Sequence, residues 1–376
     1  MNDNFFTNPG AADLDAVPAV SRKSSVIEDS GTNKIMAVDT PSTESEFVTL
    51  DCNRDFLDLL STHFLICNDK IKGKGEDSGF ESYTCEAGIM GAFDGCGGLG
   101  AKTCPAVSDM TEAFLASRAV GAAVKEWFSS RSAAGYEWNV ESLKDLIISK
   151  LELCQNQTAD SGPKLRGSMV RPFPSTIAMI AFQILDGKLL TQHIWAGDSR
   201  TYILDKNGLG QISNDDIKGE DAMSNLTRDG ALTNVISVDK RFKLHSAVFT
   251  PKHPCIMFCA TDGCFGYVSS PMEFEMMVLA ALENATNVAE WQKLLNDDIF
   301  NRSGDDQTIA IAAFGFDDFD ELKYYYADRY QMICRIVEKF GNGDPDKKQG
   351  LWETYKPNYY RYAAKKSDNN GSNTNQ

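Results

Sequence analysis

Apolar and polar positions change rhythm several times along this chain. Residues 1 to 48 are rich in Ser, Thr, Asn, Asp and Pro with only isolated apolar residues, which predicts a flexible N-terminal tail. Within it, "SRKSSVIEDS" reads as solvated linker rather than as a kinase target. "HFLICN" then predicts a first strand, "DKIKGKGEDSG" a polar turn, and the run ending "AGIMGAFD" a second strand. Two stretches with helical spacing follow. Phe114, Val120, Ala123, Val124, Trp127 and Phe128 share one face of the first, and Leu143, Leu146, Ile147 and Leu151 one face of the second.

The chain then becomes strand-rich. "TIAMIAFQIL" and "KLLTQHIWA" flank Asp186-Gly187, a strong hairpin signal, and "SRTYILD" and "GLGQIS" flank a second turn at "KNG". "KLHSAVFT" and "PCIMFCATDG" add two strands, "PMEFEMMVLAALENA" and "NVAEWQKLLNDDIFN" two helices, and "QTIAIAAFGF" a last strand. Strands in hairpins and helices in pairs predict antiparallel sheets with helices packed outside them. From about residue 317 one long helix is predicted, then a Tyr-rich segment and a polar tail. The expected division is a tail over 1–48, a central domain over 49–316 and a C-terminal helical extension with a polar tail over 317–376.

Bulk properties narrow the function. At 376 residues and 42% hydrophobic, the chain can bury a sizeable core, and no apolar run is long enough to span a bilayer. The N-terminus lacks the charged and apolar regions of a secretory signal, so a cytoplasmic protein is expected. The ten cysteines are scattered without a C-x-x-C pair, which predicts reduced core thiols rather than zinc or disulfides. A net charge of −16 argues against nucleic-acid and membrane partners. A phosphorylated substrate would need local cations to offset that field, and divalent metals would supply them.

Four aspartates stand beside turns at the ends of apolar strands. They are Asp94 in "AFDGCGG", Asp198 in "WAGDSR", Asp262 in "CATDGC" and Asp305 in "RSGDDQT", the last just before its strand. Glu76 and Asp77 in "GEDSG" add a fifth carboxylate cluster. A single Asp-Gly is more often turn punctuation than chemistry. Five such sites against strands long enough to be buried point to one carboxylate cluster, because adjacent strands can bring their ends together. Clustered carboxylates repel and stay protonated unless cations neutralise them. Oxygen-only ligands suit Mg²⁺ or Mn²⁺ rather than zinc. Gly95 frees the backbone so that its carbonyl can face a metal, and Gly97 and Gly98 are expected to leave room for a substrate phosphate.

Taken in order, "GEDS", "AFDGCGG", "PSTIAMIAF", "WAGDSRTYILD", "CATDGCFGY" and "SGDDQTIAI" resemble the metal-dependent serine/threonine protein phosphatases, the PPM or protein phosphatase 2C group. The resemblance implies an α+β fold, a four-layer α-β-β-α sandwich of two antiparallel sheets flanked by helices. It also implies two Mn²⁺ or Mg²⁺ ions at one edge of the sandwich and a weaker third. By the same resemblance Asp94 bridges both ions, the Gly95 carbonyl binds one, and Asp262 and Asp305 bind the other. Glu76 acts through water, with Asp77 a lesser candidate, and Asp198 belongs to the third site. The implied reaction is hydrolysis of phosphoserine and phosphothreonine in proteins by water activated between two metals, without a phosphoenzyme. The implied partners are a phosphorylated protein substrate and a cognate serine/threonine kinase.

Three residues depart from that pattern. Cys96 stands where the family often has a histidine proposed as the acid for the leaving group, so water is expected to take that part and Cys96 to be a buried thiol. Lys72 stands where an arginine grips phosphate; it keeps the charge but loses the bidentate fork. Gly266 replaces an aspartate associated with the third ion. Together these favour an alternative, a catalytically weak phosphatase-like module that binds phosphoproteins in a signalling assembly. The complete set of core carboxylates, Asp94 and Asp262 above all, opposes it. A phosphotransferase using Asp94 as nucleophile would want a second aspartate where Cys96 stands.

Overall fold

The computed structural model describes residues 49–132, 138–158, 171–219, 221–226 and 230–364; the N-terminal tail with its "SRKSSVIEDS" stretch lies outside them. Ten strands build two five-stranded antiparallel sheets. In chain order they are β1 (Leu60–Asn68), β2 (Ser78–Tyr83), β3 (Ala87–Phe93), β4 (Ile177–Leu185), β5 (Lys188–Ala196), β6 (Arg200–Asp205), β7 (Gly208–Gln211), β8 (His245–Phe249), β9 (Cys255–Ala260) and β10 (Gln307–Phe314). One sheet runs β1-β10-β9-β6-β7 and the other β8-β5-β4-β3-β2.

The strands read as near-continuous apolar runs because both of their faces are buried. Side chains alternate across a strand. Cys255, Met257 and Cys259 of β9 join Ala310, Ala312 and Phe314 of β10 and Met90 and Ala92 of β3 in the core between the sheets. The alternate residues of β9 and β10, including Ile256, Phe258, Ile309 and Ile311, pack under helices α3 (Pro271–Asn284), α4 (Val288–Arg302), α5 (Phe319–Gly341) and α6 (Pro345–Tyr359). Ile89 and Phe93 of β3 face α1 (Glu112–Ser132) and α2 (Val140–Gln157) on the far side. The fold is therefore an α+β sandwich of two antiparallel sheets flanked by helices, as expected.

The helical periodicity holds in detail. Val120, Ala123, Val124 and Trp127 on α1 and Leu143, Ile147 and Leu151 on α2 are buried. Phe114 and Leu146 are the exceptions, only partly buried, and the Arg118 guanidinium lies 3.4 Å from the Phe114 ring centre. Asp186 and Gly187 both take positive φ, 51° and 66°, the conformation of a tight turn that matches strand twist between β4 and β5.

Two elements differ from expectation. The predicted second strand is two, β2 and β3, because the Thr84 hydroxyl donates to the Ala87 carbonyl (3.0 Å) and accepts its N–H (3.1 Å), closing a turn without glycine or proline at its centre. The Tyr-rich segment after α5 is also ordered as a helix. Asp344 caps α6 by accepting from Lys347 N–H (2.9 Å), Pro345 follows at the first helical position, and Trp352, Tyr355 and Tyr359 are buried against the first sheet's helical layer. All described residues belong to one compact unit, and among them no helix is long and apolar enough to cross a membrane.

Candidate active site

A cavity of about 900 Å³ opens where β3, β5 and β9 end, and Glu76, Asp94, Cys96, Asp198, Asp262 and Asp305 line it. Asp94 follows β3 directly, and its backbone is fixed from β4: Thr176 N–H and the Ser175 hydroxyl both donate to the Asp94 carbonyl at 2.8 Å. Gly95 has no room for a side chain, since a Cβ there would meet the Ala113 carbonyl and lie 2.7 Å from the Glu76 carbonyl oxygen. Asp198 follows β5 through Gly197, whose φ of 95° and closeness to Thr176 also require glycine. Asp262 opens a short helical turn, Asp262–Phe265, after β9, and the loop carrying Asp305 and Asp306 packs against Gly263.

Glu76 reaches the cavity from the segment before β2. Its carboxylate accepts from the Thr111 hydroxyl, its N–H donates to Asp306 Oδ2 (2.7 Å) and its carbonyl accepts from the Ser117 hydroxyl (2.5 Å). That carboxylate occupies the space a Cβ at Gly97 would need, whereas Gly98 has open space around it. Gly97 therefore makes room for Glu76, and of the two glycines only Gly98 leaves free volume.

Asp77 is buried and is not among the residues lining the cavity; it accepts from the Thr261 hydroxyl (2.7 Å) and so braces the turn that presents Asp262. Asp306, not singled out in the sequence, accepts from the N–H groups of Lys70 (2.7 Å) and Glu76, pinning the "KIKGKGE" turn. Lys72 lies exposed on that turn, outside the cavity lining. The described cations in the lining are Arg171 and Arg241, which no sequence motif marked. A second cavity of about 510 Å³ adjoins the first and shares Asp198, Asp262 and Asp305, with Gly266 in its wall. There Arg200 is held in a two-point ion pair by Asp215 (3.0 and 2.7 Å), with its guanidinium 4.1 Å from the Phe265 ring centre.

Four of these carboxyl groups, Glu76, Asp77, Asp94 and Asp198, are raised above their usual range, by burial first. Burial pushes Asp94 well above the usual carboxylate range, and the charges of Asp262, Asp77, Asp198 and Asp305 add to it. Asp198 is pushed up to about 8 by burial and then by Asp262 and Asp215, partly offset by Arg200. Burial raises Asp77 and Glu76 as well, against the hydrogen bonds from Thr261 and Thr111. The Cys96 thiol is driven up by burial and by Asp94, so it stays protonated and is a poor metal ligand. Among the described residues no group of three or more His, Cys, Asp or Glu side chains stands close enough together to hold a metal ion. Oxygen donors that can ionise together only beside positive charge fit Mg²⁺ or Mn²⁺.

No protein-family model and no curated protein matches the chain. Among solved structures it is similar to the serine/threonine phosphatase Stp1 from Staphylococcus aureus, at 17% identity and a TM-score of 0.47 over 68% of this chain and 95% of that one. It is similar also to the Mycobacterium tuberculosis serine/threonine phosphatase PstP/Ppp (16%, 0.46, 68% and 99%). A C. elegans sex determining protein matches at 13% identity and a TM-score of 0.48 over 68% of this chain and 65% of that one. At this level of likeness the chemistry has to be read from the site's own residues.

Proposed function

We propose that the chain is a metal-dependent protein serine/threonine phosphatase of the PPM kind, acting on phosphoserine and phosphothreonine. The observation that carries this reading is the convergence of strand-end aspartates from both sheets on one cavity, where burial and neighbouring carboxylates raise Asp94 and Asp198 above the usual carboxylate range. Two bound Mn²⁺ or Mg²⁺ ions would activate a water for in-line attack on phosphorus and neutralise the phosphoryl oxygens.

The bridging position suits Asp94, the carboxylate on which Asp262, Asp77, Asp198 and Asp305 all act. The Gly95 carbonyl, Asp262 and Asp305 would complete the two ion sites. Glu76, oriented by Thr111, Ser117 and Asp306, would hold an outer water. Asp198 would serve the weaker third position, where Arg200 already supplies some positive charge. The protonated Cys96 leaves the leaving-group proton to water. No feature of the geometry favours a phosphoprotein-binding module over catalysis, since each core carboxylate reaches the cavity. The substrates would be phosphoproteins produced by a serine/threonine kinase.

The test is hydrolysis of a phosphothreonine peptide by metal-stripped protein, with Mn²⁺ and with chelator. Turnover is expected to appear with Mn²⁺, disappear on chelation and return on re-addition. A rate indifferent to chelator would overturn the proposal.

A further inference from the structure

A phosphoryl group entering this cavity meets a wall of carboxylates, which can reach it only through cations. Direct protein cations are few: among the described lining residues they are Arg171, six positions before β4, and Arg241, four before β8. The two guanidinium groups are in different states. Arg241 is spent on Asp239, donating to its Oδ2 from Nε (3.0 Å) and Nη2 (2.7 Å), and its side chain is 61% exposed at the rim. Arg171 is half-buried, and its Nη1 is shielded from solvent with no hydrogen-bond partner among the described residues. Asp239 senses both: burial would raise its carboxyl, but the bonds and charge of Arg241, and then the charge of Arg171, hold it below the usual range.

A guanidinium N–H removed from water without an acceptor is costly, and buried donors are rarely left in that condition. The fork of arginine matches carboxylate and phosphate oxygens in particular. In a chain of net charge −16, a cavity-wall arginine with an unpaired donor gains a partner if its guanidinium turns toward an anion in the cavity. We infer that Arg171, in the cavity wall, anchors the substrate's phosphoryl group through its guanidinium, while Asp239 fixes Arg241 as a rim cation beside it. This rests on the phosphatase reading, and it gives Arg171 the phosphate grip expected of Lys72, which lies on the exposed turn outside the cavity lining.

The experiment compares wild type, Arg171→Lys and Arg171→Ala, each Mn²⁺-loaded and checked for an unchanged unfolding midpoint. Inorganic phosphate binding is measured by calorimetry, and kcat and KM with p-nitrophenyl phosphate and with a phosphothreonine peptide. Arg171→Ala is expected to weaken phosphate binding and raise KM for both substrates by roughly tenfold or more, the scale of losing a charged hydrogen bond. Arg171→Lys should recover part of that loss, because charge survives and the fork does not. Unchanged phosphate affinity in Arg171→Ala would overturn the assignment. So would a KM change confined to the peptide, which would move Arg171 to the flanking residues of the substrate. If wild type hydrolyses neither substrate the phosphatase reading fails, and the phosphate titration still decides whether Arg171 is an anion anchor.

Discussion

A methyl group on residue 97 would compete with the Glu76 carboxylate for the same space, so one missing Cβ decides where a cavity-lining side chain lies. Glu76 has little freedom to yield, being tied through Thr111 at its side chain and through Asp306 and Ser117 at its backbone. Gly97→Ala should therefore displace Glu76 and lower turnover on a phosphothreonine peptide by about a hundredfold, the cost of a misplacement of roughly an ångström. Gly98→Ala, in open space, should cost far less. Equal rates in the two variants would show that Glu76 is not in the working site. At this scale the four aspartates Asp94, Asp198, Asp262 and Asp305 were legible in the sequence, because each stands beside one end of an apolar strand. The supports were not. Asp306 sits beside Asp305 with no cue that it faces backwards to Lys70, and Arg171 is separated from every carboxylate motif until the fold closes.

At the scale of elements, burial on both faces made the strands and their hairpins readable as apolar runs, and the four-layer arrangement followed. What escaped was local. The β2–β3 turn is made by a hydroxyl rather than by glycine or proline, and α6 is hidden by its aromatic and polar composition although Asp344-Pro345 opens it and Trp352, Tyr355 and Tyr359 recur at helical spacing. These rings lock the extension onto the sandwich. Trp352 is 1% exposed and donates to Asp221 Oδ2 (3.0 Å), Tyr359 donates to Gln211 Oε1 (3.0 Å), and Tyr355 donates to Glu275, which is itself paired with Arg329 inside the helical layer. Trp352→Ala should destabilise the whole unit by about 3–5 kcal/mol, the range for emptying a buried tryptophan site. Urea denaturation measures it. A loss below about 1 kcal/mol would mean that α6 is an appendage rather than part of the core.

At the scale of the molecule, a chain of net charge −16 concentrates several carboxylates in one cavity, where burial and neighbouring charge raise Asp94 and Asp198 above the usual carboxylate range. Such an arrangement is costly in the free protein and would become favourable with the proposed divalent ions bound, so metal affinity and catalysis should rise and fall together. By the proposed assignment Asp94 couples them most tightly. The most direct measurement is a calorimetric Mn²⁺ titration of wild type, Asp94→Asn and Asp198→Asn, with peptide turnover followed on the same samples. Asp94→Asn should lose tight binding of the ion pair and several orders of magnitude in turnover while remaining folded, and Asp198→Asn should lose distinctly less of both. An Asp94→Asn protein that still binds two ions tightly and turns over, or losses equal to those of Asp198→Asn, would contradict the account.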